Sequence, residues 1–325
     1  MRAIVAPEPG GPDALREERV PVPVPGEEEV LIRVAAAGVN GADLAQRRGV
    51  YPPPPGAPDW LGLEASGTVV DVGARVEAVD VGDEVCALLP GGGYAEFAAV
   101  HASLLLPVPH GVTLQDAAAL PEAVATAWSN LVMCAGLQAG QTVLVHGGSS
   151  GVGSVAIQIA LALGARVITT AGSPEKTVFC TGLGAIAVDY HEQDFVAEVR
   201  RITDDAGVDV VLDMVGGDYI ARDLDALAPE GTIMAIADRS GAPIDLPVGR
   251  LMAKRARLWA TGLRPRRLED RAAVIASVRE HVWPLIEHGF VRPIVDSTHP
   301  LAEAAEAHRR MESSRHIGKI LLVLG

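Results

Sequence analysis

A glycine-rich turn within residues 146–153 carries the clearest chemical signal in this chain. An apolar, strand-like run precedes the turn GGSSGVG, and a helical pattern follows it. Glycines let a phosphate group approach the backbone, and the amide groups at the start of a helix attract negative charge. The turn therefore predicts a pyrophosphate site. Gly148 and Gly153 take the first and third glycine positions of the dinucleotide fingerprint, and Ser150 takes the second.

The residues predicted to line the pyrophosphate are those of the turn itself. They are Gly148, Ser149, Ser150, Gly151, Val152 and Gly153. The alternative is a tight strand-to-helix turn of the kind found in any α/β protein. The position of the turn inside a strand-turn-helix-strand unit favours the dinucleotide site.

The end of the next strand predicts which dinucleotide binds. An Asp or Glu there usually holds a free ribose 2′-hydroxyl, whereas a 2′-phosphate needs small residues and a cation. Here the strand runs into Gly172 and Ser173, with Lys176 three residues later and no acid at the strand end. This pattern favours NADPH over NADH. The alternative is that Ser173 only caps the helix that Pro174 begins and that Lys176 is a solvated surface residue.

The elements around the turn indicate an α/β protein with two kinds of domain. As far as about residue 113, short strands alternate with Pro and Gly clusters, which predicts a mainly β, barrel-like unit. After residue 120, helices alternate with strands that are apolar on both faces. That alternation predicts a doubly wound parallel sheet. We expect one long amphipathic helix over residues 271–288 and a final strand over residues 317–324.

Length, charge and cysteine usage exclude several classes of protein. The 325 residues suffice for about two domains. A formal charge of -14 repels phosphate backbones, which argues against a nucleic-acid or anionic-membrane partner. The three cysteines are odd in number and widely spaced, so neither a disulfide framework nor a CxxC metal site is expected. With no apolar signal core and no membrane-length segment, we expect a cytoplasmic protein.

Several motifs in the same order resemble the medium-chain dehydrogenase/reductase superfamily over essentially the whole chain. Residues 36–44 (AAGVNGADL) and 46–54 (QRRGVYPPP) resemble its zinc-free quinone oxidoreductase branch. Residues 88–97 and 316–320 are most similar to the tumour-suppressor-inducible quinone oxidoreductases within it. The resemblance implies a GroES-like catalytic domain and an NADPH-binding Rossmann domain. The catalytic domain would comprise residues 1–120 and 262–325, and the Rossmann domain residues 121–261.

The residues at the family's zinc positions predict that this chain binds no metal. Zinc members resemble one another in a catalytic-loop Cys, a Gly-His-Glu segment and four clustered cysteines. Here Asn40 stands at the Cys position, the sequence Gly62-Leu63-Glu64 lacks the His, and no cysteine cluster exists. Because zinc needs about four N, S or O ligands, alcohol oxidation by a Lewis-acid metal is not expected.

The resemblance assigns the catalytic roles to Asn40 and Tyr51, beside the nicotinamide. An amide and a phenol can donate hydrogen bonds to a carbonyl oxygen. A quinone gains negative charge on oxygen as it is reduced, so these donors would stabilise the transition state. The alternatives are a turn-forming Asn after a strand and a Tyr ring stacked on the prolines that follow it.

Further cofactor contacts follow from the resemblance. They are Thr126, Tyr190, Asp213, Gly216, Ile236, Ala237, Leu263, Gly318 and Lys319. Thr126 is placed facing the nicotinamide and Tyr190 near the 2′-phosphate. As alternatives, Thr126 packs a helix and Asp213 caps the next one. Ala237 stands where many relatives have Gly.

The expected function is therefore NADPH-dependent reduction of a small-molecule quinone or enone. The first alternative is an enoyl or enone reductase, in which Arg264, Arg266 and Arg267 would line a channel for a carrier or coenzyme A phosphate. The second is a non-catalytic NADPH-binding protein. The resemblance also implies a homodimer, joined through the edge strand near residues 257–261, since an apolar edge strand needs such cover. The physiological acceptor and the number of electrons transferred stay open.

Overall fold

The computed structural model describes residues 1–239, 241, 244, 246 and 248–324. In chain order the strands are β1 (Arg2–Val5), β2 (Arg16–Arg19), β3 (Glu29–Val39), β4 (Glu64–Val72), β5 (Glu84–Leu88), β6 (Phe97–His101), β7 (Leu105–Pro107), β8 (Thr142–Val145), β9 (Arg166–Ala171), β10 (Ile186–Asp189), β11 (Val208–Asp213), β12 (Leu227–Ala235), β13 (Arg257–Ala260), β14 (Val295–Pro300) and β15 (Lys319–Val323).

The helices follow the same order along the chain. They are α1 (Gly41–Arg47), α2 (Leu114–Ala117), α3 (Pro121–Trp128), α4 (Gly151–Ala162), α5 (Pro174–Gly182), α6 (Phe195–Ile202), α7 (Asp218–Ala226), α8 (Val248–Lys254), α9 (Leu268–His281), α10 (Trp283–Glu287) and α11 (Ala304–Glu312). Short 3-10 helices cover Pro12–Ala14, Ala102–Leu104 and Leu301–Glu303, and a π-helical segment covers Ser129–Cys134.

The chain forms two compact units. The first unit comprises Met1–Ala125, Arg264–Glu287 and Pro293–Gly325. The second unit comprises Thr126–Leu263 and His288–Arg292. Each of them has its own sheet, so each can position its own set of polar side chains.

The second unit contains a parallel sheet with the strand order β10-β9-β8-β11-β12-β13. Counted from β8 as the first strand, this order is 3-2-1-4-5-6, that of a doubly wound Rossmann sheet. Its central strands are apolar and buried, as Leu144, Ile168, Val211 and Ile233 illustrate. This arrangement confirms the predicted fold class. Ligands of such sheets bind at the carboxyl ends of the strands, where the predicted nucleotide turn lies.

The first unit is built around the long strand β3. Its sheet has the order β14-β15-β3-β4-β5-β7, with β6 also paired to β3. The final strand β15 runs antiparallel to β3, with Ile320 opposite Val39. This register places Lys319 next to Asn40, although 279 positions separate them in the sequence.

The predicted helix over residues 271–288 is wrong in its extent. Two helices, α9 and α10, occupy this segment, and Val282 lies between them. Pro284 is the second residue of α10. Because proline lacks an amide hydrogen and its ring clashes with the carbonyl group four residues earlier, it favours a helix start over a helix interior.

No helix in the described part of the chain is long and apolar enough to cross a membrane.

Candidate active site

The predicted nucleotide turn connects β8 to α4 through a backbone conformation that favours glycine. Gly147 has a φ of 64°, in the left-handed region. A Cβ atom on Gly153 would lie 2.3 Å from the carbonyl oxygen of Gly147, so helix and turn are in direct backbone contact. Ser150 caps α4, with its hydroxyl oxygen accepting the Gly153 amide hydrogen at 3.0 Å. The helix predicted to follow the turn is confirmed, and it begins at Gly151.

The first amide groups of α4 are available to a ligand. Gly151 and Val152 lie in the first turn of α4, where the helix has no carbonyl acceptor for an amide hydrogen. Neither amide donates a hydrogen bond to another residue in the described chain. The Ser150 hydroxyl lies 3.4 Å from the Sδ atom of Met214, which follows β11. A Cβ atom on Gly147 would lie 3.2 Å from the same sulfur. The ends of β8 and β11 therefore meet at this turn.

The predicted 2′-phosphate residues lie together at the ends of β9 and β10. A Cβ atom on Gly172 would lie 2.2 Å from the hydroxyl oxygen of Tyr190, so the phenol rests on the glycine. Ser173 caps α5 by accepting the Lys176 amide hydrogen at 3.3 Å. Ser173 therefore makes the cap that the alternative describes, and the Lys176 residue is partly buried. Arg239, which the sequence analysis missed, interacts electrostatically with Tyr190.

Asp213 uses its carboxylate inside its own turn. Its oxygens accept the amide hydrogens of Val215 at 2.6 Å and Gly216 at 3.0 Å. Burial, followed by the nearby charge of Asp223, raises the pKa of the Asp213 carboxyl group. Asp213 thus shapes the loop after β11, in which Gly216 has a φ of 75°.

The remaining predicted cofactor residues of the second unit lie near strand ends or in α3. Ile236 and Ala237 directly follow β12, and Leu263, which is 7% exposed, comes shortly after β13. Thr126 is buried in α3, where its carbonyl oxygen accepts a hydrogen bond from the Asn130 side chain at 2.8 Å.

Asn40, in the first unit, directly follows β3, and its side-chain amide is fully engaged. Nδ2 donates to Glu64 Oε1 at 2.9 Å and to the carbonyl oxygen of Gly38 at 3.3 Å. Oδ1 accepts a hydrogen bond from the Lys319 ammonium at 2.6 Å. A substrate oxygen would therefore have to replace one of these partners, and the Gly38 carbonyl makes the longer bond.

Lys319 and Glu64 form an ion pair whose side chains are 4% and 0% exposed. The second carboxylate oxygen of Glu64 accepts the backbone amide hydrogen of Glu122 at 2.9 Å. A Cβ atom on Gly38 would lie 2.2 Å from Glu64 Oε1, so β3 needs a glycine where the carboxylate crosses it. Because unpaired buried charges are strongly destabilising, this pair fixes both side chains in place.

A second set of buried polar groups continues from Asn40 along α1. The Asp43 carboxylate accepts amide hydrogens from Asn40 at 2.8 Å and Gly62 at 3.0 Å, and the Tyr94 hydroxyl at 3.2 Å. Tyr94 in turn lies 3.3 Å from His308 Nε2. Burial raises the pKa of Asp43 to about 6, while these donors and the Lys319 charge oppose the shift.

His308 connects these buried groups, through Arg47, to the partly exposed Glu312. Its Nδ1 atom lies 3.1 Å from a guanidinium nitrogen of the buried Arg47, which also pairs with Glu312 at 2.5 Å. Burial, together with the Arg47 charge, lowers the pKa of His308 to about 3. His308 is therefore a neutral imidazole at physiological pH.

Tyr51 lies apart from the Asn40 hydrogen bonds. Its side chain is half-buried, and the guanidinium carbon of Arg264 lies 5.4 Å from its ring centroid. Burial is the main cause that raises the pKa of the phenol, so the hydroxyl keeps its proton at neutral pH. The structure brings Asn40 and Lys319 together and places Tyr51 with Arg264 instead.

Gly318 has a backbone role. Its φ is 91°, and a Cβ atom would lie 2.2 Å from the carbonyl oxygen of Ile294. That same oxygen accepts the Lys319 amide hydrogen at 2.7 Å. Gly318 therefore lets the chain turn into β15 and bring Lys319 to Glu64.

The three arginines predicted for a phosphate channel have different surroundings. Arg264 is 5% exposed, and its Nε donates to the Pro90 carbonyl oxygen at 2.7 Å. The Arg267 side chain is 77% exposed and pairs with Asp270. Arg266 is partly buried. The three arginines therefore differ in exposure and do not form one continuous exposed surface.

Within the described residues, no three His, Cys, Asp or Glu side chains cluster in a way that could hold a metal ion.

Comparison with known proteins identifies the family. Residues 26–110 match the alcohol dehydrogenase GroES-like domain, and residues 183–322 match the zinc-binding dehydrogenase family. The quinone oxidoreductase of Mus musculus is 35% identical over 330 residues, which covers 100% of this chain and 98% of that protein. This chain belongs to the quinone oxidoreductases of the medium-chain dehydrogenase/reductase superfamily. The predicted family is confirmed, and the particular likeness to the tumour-suppressor-inducible group stays a prediction.

Solved structures show how far this family's fold is shared. Escherichia coli quinone oxidoreductase complexed with NADPH superposes with a TM-score of 0.91 at 29% identity, covering 100% of both chains. The CurK enoyl reductase superposes with a TM-score of 0.89 at 28% identity, covering 100% of this chain and 99% of that one. Quinone and enoyl reductases thus share this architecture.

The low pKa of His308 predicts a pH-dependent stability. The unfolded histidine binds a proton near pH 6.5, whereas the folded one binds it near 3, so acidification between these values favours unfolding. The free energy of unfolding of the wild type should therefore rise relative to His308→Gln as pH increases from about 4 to 7. Urea titrations across this range measure the difference.

The exposed His110, in the same unit, supplies the control. His110→Gln should follow the wild-type pH profile. Parallel profiles for the wild type and His308→Gln would contradict a buried neutral histidine.

Proposed function

We propose that this chain is an NADPH-dependent quinone oxidoreductase that works without zinc. The observation that carries the proposal is the glycine turn between β8 and α4, at the carboxyl edge of a Rossmann sheet in a chain of the quinone oxidoreductase family. Its open amides at Gly151 and Val152, and the absence of side chains at Gly148 and Gly153, suit a dinucleotide pyrophosphate.

The residues that would hold the pyrophosphate and the 2′-phosphate belong to the second unit. The turn from Gly148 to Gly153 would bind the pyrophosphate, and Ser173, Lys176 and Tyr190 would bind the 2′-phosphate. Gly172 leaves room for the Tyr190 phenol beside this group. The other residues proposed to contact the cofactor are Thr126, Asp213, Gly216, Ile236, Ala237 and Leu263 and, in the first unit, Gly318 and Lys319. When bound, the reduced nicotinamide supplies the hydride.

The acceptor would be recognised by Tyr51 and Asn40. Tyr51 carries a protonated phenol on a half-buried side chain, so it can donate to a carbonyl oxygen. Such a donor stabilises an oxygen that becomes negative as the acceptor is reduced. Asn40 can add a second donor only by exchanging its 3.3 Å bond to the Gly38 carbonyl.

Zinc independence rests on the residues at the metal positions of zinc-dependent relatives. Asn40 replaces a thiolate with an amide that is already bound to Glu64 and Lys319. Both Glu64 carboxylate oxygens also have partners. Since a metal needs about four available ligands, the carbonyl would be polarised by hydrogen bonds alone.

The domain roles, the assembly and the location are part of the same proposal. Residues 1–120 and 262–325 would form the catalytic domain, and residues 121–261 the NADPH-binding domain. A homodimer would pair the edge strand β13, in which Trp259 is 50% exposed, with its copy. Cys86, Cys134 and Cys180 are free thiols, as expected of a protein in a reducing cytoplasm.

An enoyl reductase is the second candidate. The similarity to the CurK enoyl reductase over the whole chain favours it, and its substrate carbonyl would need the same donors. The uncharged Tyr51 phenol suits either an enoyl thioester or a quinone, so the acceptor has to be tested directly.

The acceptor test follows nucleotide oxidation at 340 nm with NADPH and NADH. The acceptors are ortho- and para-quinones, an enone and an enoyl thioester. We expect NADPH oxidation to be fastest with a quinone, because no thioester-specific site is built into Tyr51 and Asn40. A response to the thioester alone would assign the enoyl reductase. Tight NADPH binding without any turnover would assign a non-catalytic role.

The nucleotide preference is tested through Lys176→Ala. If the ammonium binds the 2′-phosphate, the variant should lose about tenfold or more of its NADPH affinity and little of its NADH affinity. Isothermal titration measures both dissociation constants. Arg166→Ala is the control, because this exposed cation lies at the amino end of β9, away from the turn. Equal losses for both nucleotides would remove Lys176 from the phosphate site.

A further inference from the structure

Arg264 is a buried cation whose terminal nitrogens have no partner. The residue is 5% exposed, and its Nε atom is held by the Pro90 carbonyl oxygen at 2.7 Å. Nη1 and Nη2 are shielded from solvent and make no hydrogen bond to any residue that the structure describes. Buried donors of this kind normally have an acceptor, so the two nitrogens are suited to bind the oxygens of a ligand.

The backbone of Gly91 lies close to the guanidinium. A Cβ atom on Gly91 would lie 3.3 Å from Nη2 and 3.2 Å from the Pro58 carbonyl oxygen, so a side chain here would crowd the guanidinium nitrogen. Tyr51 faces the guanidinium with its ring centroid 5.4 Å away. The Tyr51 side chain itself is half-buried.

The surrounding charges leave the guanidinium without a paired carboxylate. Asp43, Tyr51 and Glu122 are near enough to influence the charge, yet within the described residues none of them bonds to Nη1 or Nη2. Arg271 adds a second cation, and its Nε atom is also buried without a partner. Burial lowers the pKa of the Arg264 guanidinium, while the charges of Asp43, Tyr51 and Glu122 oppose the shift.

We propose that Arg264 binds a carboxylate carried by the acceptor, with Nη1 and Nη2 donating to its two oxygens. The planar fork of a guanidinium matches a carboxylate in this bidentate way, and the pairing would neutralise a buried charge. Tyr51 stands beside the same site, so the carboxylate and the reducible carbonyl would belong to one molecule. This inference rests on the proposed reductase function and narrows its substrate to acceptors with an acidic substituent.

The test measures binding without turnover. Isothermal titration of the full chain compares 2-naphthoate with its neutral counterpart 2-naphthamide at neutral pH. We expect 2-naphthoate to bind the wild type at least about tenfold more tightly, and Arg264→Met to reduce this ratio to about one. Arg267→Met is the matched control and should keep the wild-type ratio, since Arg267 is exposed and pairs with Asp270.

A second variant covers the case in which Arg264→Met does not fold. Arg264→Lys keeps the charge but loses the fork, so its ratio should fall between those of the wild type and Arg264→Met. Thermal unfolding reports whether each variant is folded. An unchanged ratio in both Arg264 variants, or equal binding of the two ligands to the wild type, would overturn the inference.

An inhibition experiment tests whether the carboxylate binds at the acceptor site. We expect 2-naphthoate to inhibit quinone reduction competitively with the quinone, and non-competitive inhibition would contradict the proposal. The two proposals fail separately. Arg264-dependent binding of 2-naphthoate without reduction of any quinone would reject the reductase function. Quinone reduction without a carboxylate preference would reject only the role of Arg264.

Discussion

The buried ion pair between Lys319 and Glu64 is the contact on which the first unit depends. It joins the last strand of the chain to β4, and both charges then converge on the amide of Asn40 at the end of β3. A buried charge without its partner is strongly destabilising, so folding of this unit requires that β15 be in place. The geometry around Asn40 is thus fixed by residues that are distant in the sequence.

Because the ion pair holds Asn40 in place, the polar side chains of the unit differ in whether they are available to a substrate. Asn40 resembles a substrate donor by sequence, but its amide already has three partners inside the protein. Arg264 shows the opposite state, since its two terminal guanidinium nitrogens have no acceptor within the described residues, and the half-buried Tyr51 lies beside it. Tyr51 and Arg264 therefore offer the donors that an acceptor could bind directly, whereas Asn40 could join them only by exchanging its bond to the Gly38 carbonyl.

The fold was largely predictable from local sequence patterns, whereas the contacts among Asn40, Glu64 and Lys319 were not. The glycine turn, the apolar parallel strands and the start of α4 follow from residues that are neighbours in the chain. The helix over residues 271–288 was overextended because its apolar spacing outweighed the signal of Pro284. Glu64 and Lys319 each interrupt an apolar run, which signals a buried charge, but only the pairing of β15 with β3 shows that they meet.

A double-mutant cycle of Glu64→Gln and Lys319→Met tests the central claim most directly, with the free energy of unfolding read from urea titrations. Each single substitution leaves one buried charge unpaired and should cost about 3–5 kcal/mol. The double variant should lose less than the sum by about 1–3 kcal/mol, because neither charge then remains. The exposed Arg255 and Glu230 pair provides a control in which the losses should be nearly additive. Additive losses for Glu64 and Lys319 would contradict an ion pair that holds the unit together.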